Sequence, residues 1–392
     1  MREYYQIRQI SIRSSLEEFI VFSRPGVPNG DQISPSVSLL ADHTTFPSGS
    51  RILMMGCGNG ILALLLSKRT SWGECWLTDI NHTALNMAEF TLEFNRIGDY
   101  QICRKISLLP AYTDYFDAIL IDIPKGRKLL RRWLVEVYYL LHVGGKLFIS
   151  GANDLGIKSA ISDCQDLFAS KAVILAYRKG NRVAEFEKTE NAVPSPSWSS
   201  QDGIAPGTWY QFNAKLFSLS FHIDSLPGIF SFEKVDDGTR ILVQNMNIEE
   251  GCHMLDVGCG YGLIGLVGGS KSAGRIVMTD NNLLATASAQ RNLEKLDGIS
   301  GKVIAADLLE TVRDEKYHLI SSNPPFHLGL PVDMQVTQVL IEESWDLLEP
   351  RGIFIIVVNQ FLNYEEKIRN VFNNIEVPYC TKRYKILKAI RK

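Results

Sequence analysis

The sequence has no apolar run that could cross a bilayer: the longest, "ILALLL" at 61–66 and "IFIIVV" at 353–358, are far shorter than a span demands. It also has no C-x-x-C pair. Its seven cysteines are odd in number and scattered, which argues against a disulfide framework and against a structural zinc or other metal site. A reducing compartment fits that usage. A basic excess is missing too. With 41 Lys+Arg against 43 Asp+Glu and a formal charge of −2, the chain is not an indiscriminate nucleic-acid binder. The start, "MREYYQIRQI", is polar where a signal peptide is apolar, so a cytoplasmic protein with no membrane partner is expected.

What is present suits two domains. The 392 residues are long for one, and a 45% hydrophobic share lets each half bury an ordinary core. Self-comparison shows that the halves are built alike. "RILMMGCGNGILALLL" (51–66) matches "HMLDVGCGYGLIGLVG" (253–268), each a buried strand, a G-C-G-x-G turn and a helix of small and apolar residues. A second strand then ends in Thr-Asp, placing an acid 23 residues after the first glycine in one half (Gly56, Asp79) and 22 in the other (Gly258, Asp280). "FDAILIDIPK" (116–125) aligns with "YHLISSNPPF" (317–326), and "GGKLFIS" (144–150) with "RGIFIIVV" (351–358). Alternating strands and helices imply a mostly parallel sheet covered on both faces, once in each half. The boundaries expected are 1–188, a Pro/Ser/Gly-rich linker at 189–208, and 209–392. The stretch 216–242 is expected to supply strands and a turn leading into the second sheet.

A glycine turn from strand to helix brings backbone N–H groups to a ligand at the positive helix end. An acid at the next strand end accepts ribose hydroxyls, although Asp280 can equally cap the following helix. In the second half Asp256 precedes the first glycine by two, which suits an ammonium or sulfonium ligand better than a pyrophosphate. Asp307, after a third strand, can bond an adenine amino group. Together these residues point to a nucleoside cofactor.

"LDVGCGYG", "TDNN", "AADLL" and "SNPPFH", in this order, resemble a class I S-adenosylmethionine-dependent methyltransferase. More narrowly, "LPGIFSFEKVDDGTRIL" (226–242), "SNPPFHLG" (322–329) and "VVNQFLNYEEKI" (357–368) resemble the RsmC/RlmG group of ribosomal-RNA guanine-N2 methyltransferases. That resemblance implies two tandem Rossmann-like domains, each a mostly parallel seven-stranded sheet flanked by helices, with the C-terminal one active. It implies S-adenosyl-L-methionine as cofactor without a metal, and contacts to it from Asp256, Gly258, Cys259, Gly260, Gly262, Asp280, Asn281, Asp307, Leu308 and Asn323. It implies ribosomal RNA or a ribosomal subunit as partner; a monomer is expected.

The same resemblance assigns catalysis to Asn323, Pro324, Pro325 and Phe326. Two prolines hold Asn323 out of helical geometry and remove competing donors. The Asn323 side-chain oxygen and the Pro324 carbonyl can then accept both hydrogens of an exocyclic amine, turning its lone pair toward the methyl donor. Phe326 can stack on the base. His327 is read as a structural histidine, and Cys259 as a small residue that the turn requires.

The first half departs from this pattern. Asp122-Ile123-Pro124-Lys125 replaces Asn-Pro-Pro-Phe, and Met54 replaces Asp256. Methyl transfer there is not expected. The basic stretch "KGRKLLRR" (125–132) suggests instead that Lys125, Arg127, Lys128, Arg131 and Arg132 meet RNA phosphates; the rival reading is a scaffold. Other functions with the same motif are N6-adenine methylation of DNA or RNA and glutamine-amide methylation of protein. A non-catalytic RNA-binding or ribosome-assembly factor is the alternative from another class.

Overall fold

The structure, a computed structural model, describes residues 3–13, 18–28, 30–190, 196–272, 274–325 and 331–392. It divides into two units, 1–209 and 210–392. Unit 1 runs β1 (Arg8–Arg13), β2 (Glu18–Ser23), α1 (Pro35–His43), β3 (Ser50–Met55), α2 (Ile61–Leu66), β4 (Trp72–Thr78), α3 (His82–Phe94) and β5 (Tyr100–Cys103). It continues with β6 (Phe116–Asp122), α4 (Arg127–Leu140), β7 (Leu141–Ala152), α5 (Ile157–Phe168), β8 (Val173–Arg178) and β9 (Asn181–Glu187). Unit 2 repeats the plan. It has β10 (Tyr210–Leu216), β11 (Leu219–Ser225), α6 (Asp237–Asn245), β12 (Met254–Val257), α7 (Leu263–Ser272), β13 (Ile276–Asp280), α8 (Leu283–Leu293) and β14 (Gly301–Ala305). Then come β15 (Tyr317–Ser322), α9 (Pro331–Leu347), β16 (Leu348–Asn359), α10 (Glu365–Phe372), β17 (Glu376–Cys380) and β18 (Tyr384–Ile390).

Each unit holds a seven-stranded sheet, in the order β5-β4-β3-β6-β7-β9-β8 and β14-β13-β12-β15-β16-β18-β17. Only β9 and β18 run against their sheets. Burial on both faces explains the near-continuous apolar strands such as "IFIIVV", and in unit 2 Leu255, Val257, Ile320, Phe354 and Ile356 lie in one buried core cluster. Among the adjoining parallel strands of each sheet the order reverses at one place, between β3 and β6 and between β12 and β15. Ligands of open α/β sheets bind at the carboxyl ends of strands beside such a reversal.

Two sequence expectations differ. The stretch 216–242 contributes the last residue of β10 and β11 to strand structure, and β10–β11 form a separate antiparallel hairpin instead of joining the large sheet. Its end, "DGTRIL", begins helix α6, because Asp236 caps the helix by accepting from Thr239 N at 3.1 Å. The linker expectation also differs over 196–208. Trp198 and Ile204 are buried, and Arg132 donates to the Gly203 carbonyl at 2.9 Å, so this stretch is packed into unit 1.

Candidate functional site

Register places the site of unit 2. Strand β12 lies between β13 and β15, with Val257 opposite both Thr279 and Ser322. The next residues are Gly258, Asp280 and Asn323, so three neighbouring strands deliver three candidate residues at one level. Ser322 ties two of those ends together by donating to the Val257 carbonyl at 2.7 Å. Gly258 N and Cys259 N both donate to the Thr279 carbonyl, at 2.8 and 3.0 Å.

The turn itself needs glycine at Gly258 and Gly262, whose φ values are 70° and 91°. At Gly262 a Cβ would meet the Ala289 side chain and Met278 Sδ, both at 3.1 Å, so the turn is packed from below. Above Gly258 there is space: a Cβ there would meet nothing within 4 Å among the described residues. Cys259 is buried, and burial followed by the nearby Asp280 and Asp256 raises its thiol, which makes it inert as a nucleophile.

Asp256 is 0% exposed. Its Oδ2 accepts from Gly265 N of α7 at 3.0 Å, while Oδ1 has no hydrogen-bond partner among the described residues. Burial pushes its carboxyl up to about 7, the Gly265 bond opposing and Asp280 adding to the rise. Asp280 accepts from Gly260 N at 2.9 Å and Asn282 N at 2.8 Å. Those bonds orient its carboxylate across the turn, with lone pairs left for a diol. Asn281 follows it, half-buried; Asp307 is buried just past β14, and Leu308 takes φ 52° with its carbonyl held by Thr279 Oγ1 at 3.2 Å.

Asn323 is half-buried, and its amide nitrogen donates to Asp236 Oδ2 at 3.2 Å and to Thr239 Oγ1 at 2.9 Å. A carboxylate only accepts, so the amide orientation is fixed: the nitrogen faces Asp236 and Thr239, and the oxygen has no hydrogen bond among the described residues. Gly238 leaves room for the capping carboxylate, since a Cβ there would lie 2.9 Å from Asp236 Oδ2. Sequence reasoning gave Asp236 and Thr239 no role. The signal was available in "DDGT", an acid three residues before a threonine at a helix start. Pro324 is buried and Pro325 exposed. Phe326 and His327 lie outside the described residues.

Unit 1 has the same frame with different contents. A Cβ on Gly56 would meet Cη2 of Trp133 at 2.9 Å, so the ring occupies the place left open over Gly258. Trp133 is 7% exposed and comes from α4. Asp79 keeps the bonds of its counterpart, from Gly58 N at 2.9 Å and Asn81 N at 2.8 Å. Asp122, which stands where Asn323 does, accepts from Ser150 Oγ at 2.8 Å and from Ser36 of α1. Donors therefore surround an acceptor in unit 1, where acceptors surround a donor in unit 2.

The basic stretch of unit 1 needs correction. Arg132 is 6% exposed and bonds inward to Gly203, so it meets no phosphate. Arg127 and Arg131, one helical turn apart, both fork onto Asp163 with Nη2–Oδ1 distances of 2.8 Å, and Arg131 also lies over Trp198. Burial raises the Asp163 carboxyl, but the two guanidinium groups outweigh it and leave it below the ordinary range. Lys125, Arg127 and Lys128 are exposed. Among the described residues no cluster of three or more His, Cys, Asp or Glu could hold a metal, and no helix is long and apolar enough to cross a membrane.

Comparison with known proteins covers both units. The model of the methyltransferase small domain matches residues 18–179 and again 220–388. The chain is 30% identical over 279 residues to a ribosomal RNA small subunit methyltransferase C of Psychromonas ingrahamii, spanning 71% of this chain and 76% of the relative. It is 30% identical over 344 residues to the protein of that name from Hahella chejuensis, spanning 87% and 94%. Among solved structures, a T. thermophilus 16S rRNA N2 methyltransferase (RsmC), solved with AdoMet and guanosine, aligns over 99% of both chains with TM-score 0.81 at 23% identity, a likeness of fold.

Proposed function

The chain belongs to the methyltransferase small-domain family, and we propose that it transfers a methyl group from S-adenosylmethionine to the exocyclic N2 amine of a guanine in small-subunit ribosomal RNA. The observation that carries this reading is the fixed carboxamide of Asn323, whose nitrogen is held by Asp236 and Thr239 so that its oxygen has no hydrogen bond among the described residues, at a strand end beside an open glycine turn.

The cofactor fits unit 2 on structural grounds. The space over Gly258 admits it, and the unpartnered Oδ1 of Asp256 offers a buried acceptor to an ammonium group. Asp280 would take the ribose hydroxyls, and Asp307 with the Leu308 backbone the adenine edge. When bound, S-adenosylmethionine supplies a methyl carried on a sulfonium and leaves as the thioether.

The protein's own contribution is orientation. A guanine N2 amine is a weak nucleophile because its lone pair is delocalised into the ring. The Asn323 Oδ1 and the Pro324 carbonyl accept one N–H each, which favours a pyramidal nitrogen with its lone pair facing the methyl. Because Asp236 and Thr239 fix the amide beforehand, no reorganisation is needed when the base arrives. Such alignment is worth several kcal/mol, about 7–11 at the upper limit of intramolecular systems. The amine turns acidic only after alkylation, so its proton is lost last and no base must act first. A paired guanine must leave its stack to enter.

Unit 1 serves RNA positioning in this reading, through Lys125, Arg127 and Lys128. Mass mapping of small-subunit rRNA from cells with and without the protein tests the whole. Loss of one N2-methylguanosine is the expected result; an unchanged methylation map overturns it.

A further inference from the structure

The rim of the unit 2 site carries two residues that the reaction itself does not use. Strand β16 pairs with β15 so that Ile356 lies opposite Ser322. Asn359 therefore stands about 7 Å farther along the strand direction than Asn323. There the chain turns, with Gln360 N donating to the Arg383 carbonyl at 2.9 Å and Leu362 N to the Asn359 carbonyl at 3.0 Å. The turn leaves Phe361 61% exposed. Across it, the Arg383 guanidinium lies 4.9 Å from the centre of the Tyr384 ring and 3.3 Å from Asp237, the neighbour of the residue that holds Asn323. Both members of that ion pair are mostly exposed, with side-chain exposures of 70% and 66%. Such a pair contributes little to stability and is readily exchanged for another anion.

A single exposed phenylalanine needs no explanation in general. The duplication supplies the contrast that this one requires. Unit 1 shares the first bond of this turn, Asn153 N donating to the Gly180 carbonyl at 3.0 Å, and closes it one residue later, with Gly156 N on the Asn153 carbonyl at 3.1 Å. Matched through that shared bond, Phe361 corresponds to Asp154 and Arg383 to Gly180. At those two positions unit 1 has neither a ring nor a guanidinium; its own turn arginine, Arg182, is spent within the unit, on Asn153 and over the Tyr177 ring.

We propose that Phe361 stacks on the nucleobase next to the target guanine and that Arg383 grips the adjoining phosphate, so that this rim holds the strand while the guanine is turned in. The proposal rests on the RNA substrate of the functional reading. Unstacked bases are held on aromatic faces, and a guanidinium forks onto phosphate oxygens. Asp237 keeps Arg383 aimed at the site until the phosphate replaces it.

The test uses the full chain and unmodified small-subunit rRNA made in vitro, with RNA affinity read by filter binding and turnover read separately. Phe361→Ala should weaken RNA affinity roughly tenfold, and Phe361→Trp should retain it. Arg383→Gln should weaken binding and flatten its dependence on salt by about one phosphate contact. Affinity for S-adenosylmethionine should not change in any variant. Phe361→Ala and Arg383→Gln proteins that bind this RNA as tightly as the parent would overturn the proposal, including the case in which the rim meets a ribosomal protein. Failure of the parent protein to form N2-methylguanosine would sink the functional reading instead, and the binding comparison still decides the rim.

Discussion

Asn323 gives one amide hydrogen to Asp236, the residue that caps helix α6, over 3.2 Å. The donor and the acceptor are 87 positions apart in the chain, and among the described residues the amide oxygen is left without a hydrogen bond and can meet a substrate.

Asn323→Ala should lower kcat on RNA by about 100-fold or more, in the range seen when one preorganised hydrogen-bonding group is removed. Binding of S-adenosylmethionine, measured by calorimetry, should persist, because the glycine turn and the acids that face it are untouched. Full activity in this variant would remove Asn323 from the mechanism.

Thr239→Val deletes one of the two acceptors that hold the amide while Asp236 still caps α6. The cost of about 1 kcal/mol for one hydrogen bond predicts a fall in kcat of roughly fivefold, with KM for the cofactor unchanged. Thr239→Ser should recover most of the loss. A variant whose defect lies wholly in cofactor KM would assign Thr239 to binding.

Asn323→Asp places two carboxylates at hydrogen-bond distance and should lower the thermal midpoint at pH 8 more than Asn323→Ala does. Adding Asp236→Ser replaces the opposing carboxylate by a hydroxyl that can donate and still cap α6, and should restore the midpoint without restoring activity. Melting curves of the three variants check this.

The pH dependence follows from Asp256, whose carboxyl burial lifts to about 7. Between the ordinary carboxylate range and that value, the folded protein keeps a proton that the unfolded chain has lost. Rising pH therefore favours unfolding, and the cofactor-free protein should lose stability as pH climbs from about 4 to 7. Asp256→Asn should flatten this part of the profile. A bound ammonium favours the ionised carboxylate, so relative to Asp256→Asn the parent should gain cofactor affinity as pH passes through 7. Parallel pH profiles of the two proteins would refute this assignment.

Calorimetry should find one S-adenosylmethionine per chain, because Trp133 fills the space over Gly56. Trp133→Ala should destabilise the protein by about 3–5 kcal/mol, the usual cost of a large buried ring. A stoichiometry of two in the parent would contradict the packing described for unit 1.

Much of this architecture was readable as sequence because it is written in local patterns. Two G-C-G-x-G turns, two Thr-Asp strand ends and the Asn-Pro-Pro run each sit within a few residues of the strands that position them. What was hidden depends on contacts between distant segments. The basic run 125–132 looked like one charged surface, yet helical periodicity sends Arg132 inward and pairs Arg127 with Arg131 on Asp163. Nothing local to Gly56 announces that a tryptophan from α4 will cover it. The "DDGT" signature predicts a helix cap, but its bond to an amide on another strand exists only once the sheet has brought them together.

The inverted polarity at the two strand ends also limits what can be exchanged between the halves. Copying the Asn-Pro-Pro segment into unit 1 would set an amide against two serine hydroxyls in place of the carboxylate and threonine that hold Asn323, and it would still lie under an indole. Reviving a second reaction centre would take coordinated changes in a helix cap, a strand terminus and a covering helix. No single substitution offers a path back, and the first copy is locked into whatever service it now performs.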